Sequence, residues 1–179
     1  MNTNSNAIFE TIDIESVNEN FFHLLNHDWM LVTAGKMDDF NTMTASWGTF
    51  GMLWNMPVAF IFVRSHRYTY EFVEKYPVFS LTFFDTRYKD ILNYCGQHSG
   101  KNVDKVKETG LIPYELPLGT VTFEQGRMVI ECRKLYFDDL KHDHFLEKEI
   151  IHRAYPGKDF HRFYIGEIIQ CYRSTQKRE

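Results

Sequence analysis

The chain has 179 residues, of which 44% are hydrophobic and 16% aromatic, and its formal net charge is −4. That is the length of one folding unit with ample bulky surface to bury, so we expect a single domain over 1–179 that folds without staples. Interspersed charges with a slight acidic excess leave no basic field for nucleic acid, and the longest apolar run, 57–63, is far short of a membrane-spanning helix.

Residues 1–6 are polar and lack the charged stretch and apolar stretch of a signal peptide. Cys95, Cys132 and Cys171 are odd in number and contain no Cys-x-x-Cys pair. A disulfide framework and a zinc knuckle are both disfavoured, and a cytoplasmic protein with reduced thiols is expected.

Short runs rich in β-branched and aromatic residues predict strands over 29–34, 42–50, 58–64 and 78–84. Thr69 is placed to cap a helix over 70–75 whose apolar face carries Phe72, Val73 and Tyr76. Helical stretches follow over 86–94 and 102–108, the second closed by Gly110. Segments 120–124 and 127–137 flank Gln125-Gly126 and predict a hairpin. A last strand is expected over 163–172, with Gly166 at a bulge or a close backbone approach. Strands do not alternate with helices, so the pattern fits a mainly β fold, an antiparallel barrel with peripheral helices, better than a doubly wound parallel sheet.

Three segments carry candidate chemistry. Asn41-Thr-Met-Thr-Ala-Ser-Trp47 puts amide and hydroxyl groups beside an indole within a strand. It reads either as a polar strand with Thr42, Thr44 and Ser46 facing water or as a ligand wall facing a flat polar ring. Arg64-Ser-His-Arg67-Tyr-Thr69 leaves an apolar strand for a helix start, which makes either a solvated loop or a phosphate cradle of guanidinium, hydroxyl and free N–H groups. Cys95-Gly-Gln-His-Ser99-Gly100 with Lys105 supplies a glycine-rich turn before another helix. Its glycine spacing is one short of a P-loop and Asn102 stands where a magnesium-binding hydroxyl is required, which disfavours ATP chemistry. His142, His144 and His152 with Glu147 and Glu149 match no metal motif, so no metal is expected. Cys95 has no partner cysteine nearby and reads as a bystander thiol rather than a redox centre.

In this order, Asn41-x-Met-Thr-Ala-Ser-Trp47, Pro57-Val with Val63-Arg64 and Arg67-x-Thr69, Gly96-x-x-Ser99-Gly100 with Asp104-Lys105, and His161-x-x-Tyr-Ile-Gly166-Glu167-Ile168 resemble the flavin reductase-like, FMN-binding split-barrel family that includes the flavoredoxins. The resemblance covers about 25–172. It implies an antiparallel Greek-key barrel, a homodimer and one FMN per subunit. By the same resemblance Asn41, Met43, Thr44, Ala45, Ser46 and Trp47 line the ring and ribityl chain, and Arg64, Ser65, Arg67 and Thr69 approach the phosphate. Ser99, Gly100 and Lys105 would close over that phosphate, and His144 would reach the flavin. The implied activity is an oxidoreductase passing electrons or hydride from a reduced nicotinamide or a protein donor through bound FMN. Because the chemistry belongs to the cofactor, no catalytic side chain is assigned. The alternative is a split barrel that holds a flavin or haem without turnover.

Overall fold

A computed structural model describes residues 7–176 of the chain; residues 1–6, read above as lacking a leader, lie outside the described residues. Strands β1 (Phe9–Ile12), β2 (Met30–Lys36), β3 (Asp39–Ala45), β4 (Gly48–Leu53), β5 (Met56–Arg64), β6 (Val78–Phe83), β7 (Pro113–Glu115), β8 (Val121–Phe123), β9 (Met128–Asp139) and β10 (His161–Ser174) are joined by short helices. These are α1 (Phe21–His23, continued by a wider turn to Asp28), α2 (Tyr68–Lys75), α3 (Lys89–Gln97), α4 (Lys105–Thr109) and α5 (Glu149–Ala154). The main sheet is antiparallel, ordered β3-β2-β6-β9-β10-β5-β4, with β1 on the far end of β10.

The two ends of that sheet, β3 and β4, are consecutive in the chain and separated only by Ser46-Trp47. Two residues span under about 10 Å, so the sheet has to curl until its ends meet there. The strand expected over 42–50 is therefore two strands. Its periodicity is continuous, but the chain turns a corner from one sheet edge to the other. Away from the corner the ends diverge. β4 covers β5 only as far as the Gly48–Ile61 pair, and beyond it the edge of β5 from Phe62 to Arg64 lies open, opposite the open edge of β3. The barrel is split there.

The barrel core comprises Met30, Val32, Ala34, Met43, Ala59, Ile61, Val63, Phe79, Leu81, Ile130 and Tyr164, closed at one end by Phe72 and Val73 of α2. β2 is buried on both faces. Its alternate residue Leu31 packs outward with Leu92 and Cys95 of α3, Leu111 and Phe123.

Three expectations are corrected by packing. Segments 121–123 and 128–139 are not a hairpin: β8 pairs with β7, and β9 pairs with β6 and β10. The Gly126 N–H does close a turn on the Phe123 carbonyl. However, Ser80 donates to the Val121 carbonyl and Thr82 bonds the Thr122 hydroxyl at 2.7 Å, which holds β8 against β6. The N-cap of α2 is Arg67, not Thr69, which lies inside the helix and accepts from Asn41. Gly96 belongs to α3, so the glycine-rich turn begins only at Ser99. Two glycines stand as expected. Gly110 ends α4 in the left-handed region at φ 68°, and Gly166 sits at a break in the β9–β10 register.

Candidate functional site

The free edge of β3 borders the split. Lys36 and Asp39 close the two-residue turn between β2 and β3, and Thr42 and Thr44 stand an odd number of residues along the ladder from that pair, so their backbone groups point away from β2; the Thr42 carbonyl accepts from Lys105. A cavity of about 350 Å³ opens beside this edge, lined by Met43 to Trp47 on one side and by Phe62, Arg64, His66, Arg67 and His161 on the other. Across Ser46, Trp47 and Phe62 it adjoins a wider cleft of about 840 Å³ that α1 and its continuation border with Phe22, His23, Leu25 and His27. Trp47, at the corner between β3 and β4, is half-exposed and stands between the two spaces.

The cationic end is built from the end of β5 and the start of α2. Arg64 hydrogen-bonds the Asp159 carboxylate and the Ala154 carbonyl (2.9 Å), and its guanidinium lies 5.3 Å from the centre of the Tyr155 ring. Arg67 donates to the Gly96 carbonyl at 2.7 Å and, among the described residues, pairs with no carboxylate. Burial, then the positive charge of Arg64, lower its pKa from the usual arginine value. α2 starts at Tyr68 without a side-chain cap, which leaves first-turn N–H groups for a ligand.

His161 completes the wall, and the buried Tyr155 packs behind it. The Tyr155 hydroxyl and His161 Nδ1 are 2.9 Å apart, and the imidazole lies 4.9 Å from Trp47 between ring centres. Burial, followed by the Arg64 charge, pushes the His161 pKa down to about 4, so the ring is neutral at ordinary pH.

The model of the family described as "Flavin reductase like domain" matches residues 22–179. The chain belongs to this family. Solved flavin reductase-like structures share its fold. Flavoredoxin from Methanosarcina acetivorans is 23% identical with a TM-score of 0.64, the match covering 85% of this chain and 71% of that one. An FMN-binding protein from Thermus thermophilus is 19% identical with a TM-score of 0.66, covering 92% and 80%. The NADH:FAD oxidoreductase of Streptomyces globisporus C-1027 is 16% identical with a TM-score of 0.62, covering 82% and 75%. No curated protein matches the sequence.

In this flavin reductase-like chain, the residues that the family resemblance assigned to one site fall into three groups. Met43, Thr44, Ala45, Ser46, Trp47, Arg64 and Arg67 line the cavity. Asn41, Thr69, Gly100 and Lys105 form a buttress behind it. Asn41 donates to Thr69 at 2.8 Å, and a Cβ on Gly100 would lie 2.0 Å from Asn41 Oδ1. Lys105 is buried with its amine on the carbonyls of Thr42 (2.7 Å) and Cys95 (2.8 Å), and burial pushes its pKa down to about 8. Ser65 and Ser99 sit in turns outside the cavity lining, and His144 is exposed on a short helical turn away from it. Phe62, His66 and His161 line the cavity without having been assigned to it, and Tyr155 and Asp159 stand behind them. Their places follow from the open edge of β5 and from the β9–β10 connection folding back on it. No group of three or more metal-ligating side chains occurs among the described residues, and no helix there is long and apolar enough to cross a membrane.

Proposed function

We propose that the protein binds FMN in the split between β3 and β5 and works as a flavoprotein oxidoreductase. The observation that carries this is Arg67, a cation facing the cavity with one carbonyl acceptor and no carboxylate partner among the described residues, beside an uncapped helix start. A phosphate monoester supplies the missing charge at that end. The free edge of β3 offers N–H and C=O groups to the polar rim of a flat ring, and Trp47 with Phe62 gives it apolar walls. The donor set thus fits FMN in both charge and shape.

Bound FMN would supply two-electron chemistry, accepting hydride from a reduced nicotinamide or electrons from a protein donor. The chain's part is to bind, orient and shield. Arg67 and the start of α2 hold the phosphate, the β3 edge sets the ring in plane, and neutral His161 offers a hydrogen-bonding edge without adding charge. Phe60, Phe62, Phe163 and Tyr136 form an aromatic strip on the outer face of β5, β10 and β9, with neighbouring ring centres 6.1–6.4 Å apart. Since Phe62 also lines the cavity, this strip supports a homodimer interface next to the flavin.

Anaerobic addition of NADH, NADPH or a reduced carrier protein to protein freed of unbound flavin tests the activity. Bleaching of a stoichiometric flavin band by any of these donors is expected. A bound flavin that none of them reduces would make this a binding protein without turnover, and consumption of nicotinamide only with excess added FMN would make the flavin a substrate.

A further inference from the structure

Resting on the flavin site proposed above, we infer that Arg64 is a positioning residue: it fastens the segment 154–161 as a strap along the rim of the cavity, and does not hold the phosphate. The guanidinium is already committed. One nitrogen bonds the Asp159 carboxylate and the other the Ala154 carbonyl at 2.9 Å, while the Tyr155 ring lies beneath it. All three partners belong to the connection between β9 and β10 and are separated from Arg64 by 90 residues or more in the chain. His66 Nδ1, also on the cavity wall, stands 3.6 Å from the same Asp159 oxygen.

The strap sets Tyr155 behind two residues of the cavity wall, Trp47 and His161. Tyr155 meets Trp47 edge-on at 6.3 Å and is 2.9 Å from His161 Nδ1 through its hydroxyl. Phe145, and Phe160 of the strap itself, pack on Tyr155 with ring centres 5.8 and 4.9 Å away. Arg64 thus ties the end of β5 to a small aromatic cluster that sets the ring positions of Tyr155 and His161. Both members of the ion pair are partly exposed, with side chains 27% and 29% accessible, so the fastening can open without unfolding the barrel. Positive charge for an anionic ligand is then left to Arg67, the arginine of this pair that no carboxylate neutralises among the described residues.

A phosphate ligand and a strap anchor differ in what they do to riboflavin, which has the ring but no phosphate. Dissociation constants for FMN and riboflavin are measured by flavin fluorescence on wild type, Arg64→Ala, Asp159→Ala and the double variant, with hydrogen exchange of the flavin-free proteins alongside. Each single change should weaken both flavins by the same factor, about tenfold or less, with the double variant no worse than either single one. Exchange within 154–161 should quicken in both single variants. An Arg64→Ala loss confined to FMN, with Asp159→Ala tightening FMN by freeing the guanidinium, would overturn the inference. If Arg64→Ala does not fold, Asp159→Ala carries the same readouts from the accessible end of the pair. If the wild type binds neither flavin, the proposed cofactor fails; exchange still decides the strap, and unchanged protection of 154–161 in both variants would refute it.

Discussion

Arg67 and Lys105 are cations of like charge whose hydrogen bonds leave them differently placed. Lys105 spends its amine on two carbonyls, joining β3 to the last turn of α3. Arg67 keeps donors free toward the cavity. A charge-assisted bond is worth about 1.5–3 kcal/mol, so Arg67→Ala should weaken FMN by roughly tenfold to a hundredfold and leave riboflavin nearly unchanged. Equal losses for both flavins would mean that Arg67 only supports the end of α3 at Gly96. His161 makes a pH prediction. Its folded pKa lies near 4, below the ordinary histidine value of 6.5. The unfolded chain therefore binds more protons between these values, and stability from this group is complete above about pH 6.5 and lost as pH falls toward 4, by at most about 3 kcal/mol. Denaturant unfolding across that window should show a shallower pH slope for His161→Gln than for wild type. Parallel slopes would contradict the assignment.

Among the elements, the strands were legible because alternation and β-branched content survive in any sheet. The corner at Ser46-Trp47 was not, because it depends on which sheet edges the barrel brings together. Thr42 shows the same limit. Its hydroxyl looks like a water-facing group in the sequence, yet it is buried 2.8 Å from the Thr33 hydroxyl, since helices and β8 cover the outer face of the sheet. The helical turn at Phe21–His23 had no clear periodicity to reveal it. In segment 64–69, the place of Arg67 at a helix start was legible, whereas the pairing of Arg64 with Asp159 is a contact across the fold that no local pattern contains. Gly166, by contrast, was readable as a point of close approach. A Cβ there would meet Phe79 at 2.7 Å and Cys132 at 3.0 Å. Gly166→Ala should cost about 1–3 kcal/mol in urea unfolding by overpacking the β9–β10 bulge. A change below half a kcal/mol would show that Phe79 swings aside freely.

At the scale of the whole molecule, the split is both what leaves the sheet incomplete and what makes room for a ligand: two open strand edges face each other, one flanked by arginines and the other by small side chains and an indole. The partly exposed aromatic strip beside that split predicts a dimer, and light scattering at micromolar concentration should return twice the mass of one chain. A monomer mass would leave the strip without an occupant. The central claim, that this split holds FMN, is tested most directly by adding FMN to the purified protein, separating unbound flavin by gel filtration and recording the absorbance spectrum of the protein peak. An oxidised-flavin band at about one FMN per chain is expected; a colourless protein peak, with all the FMN eluting among small molecules, would show that the split does not hold it.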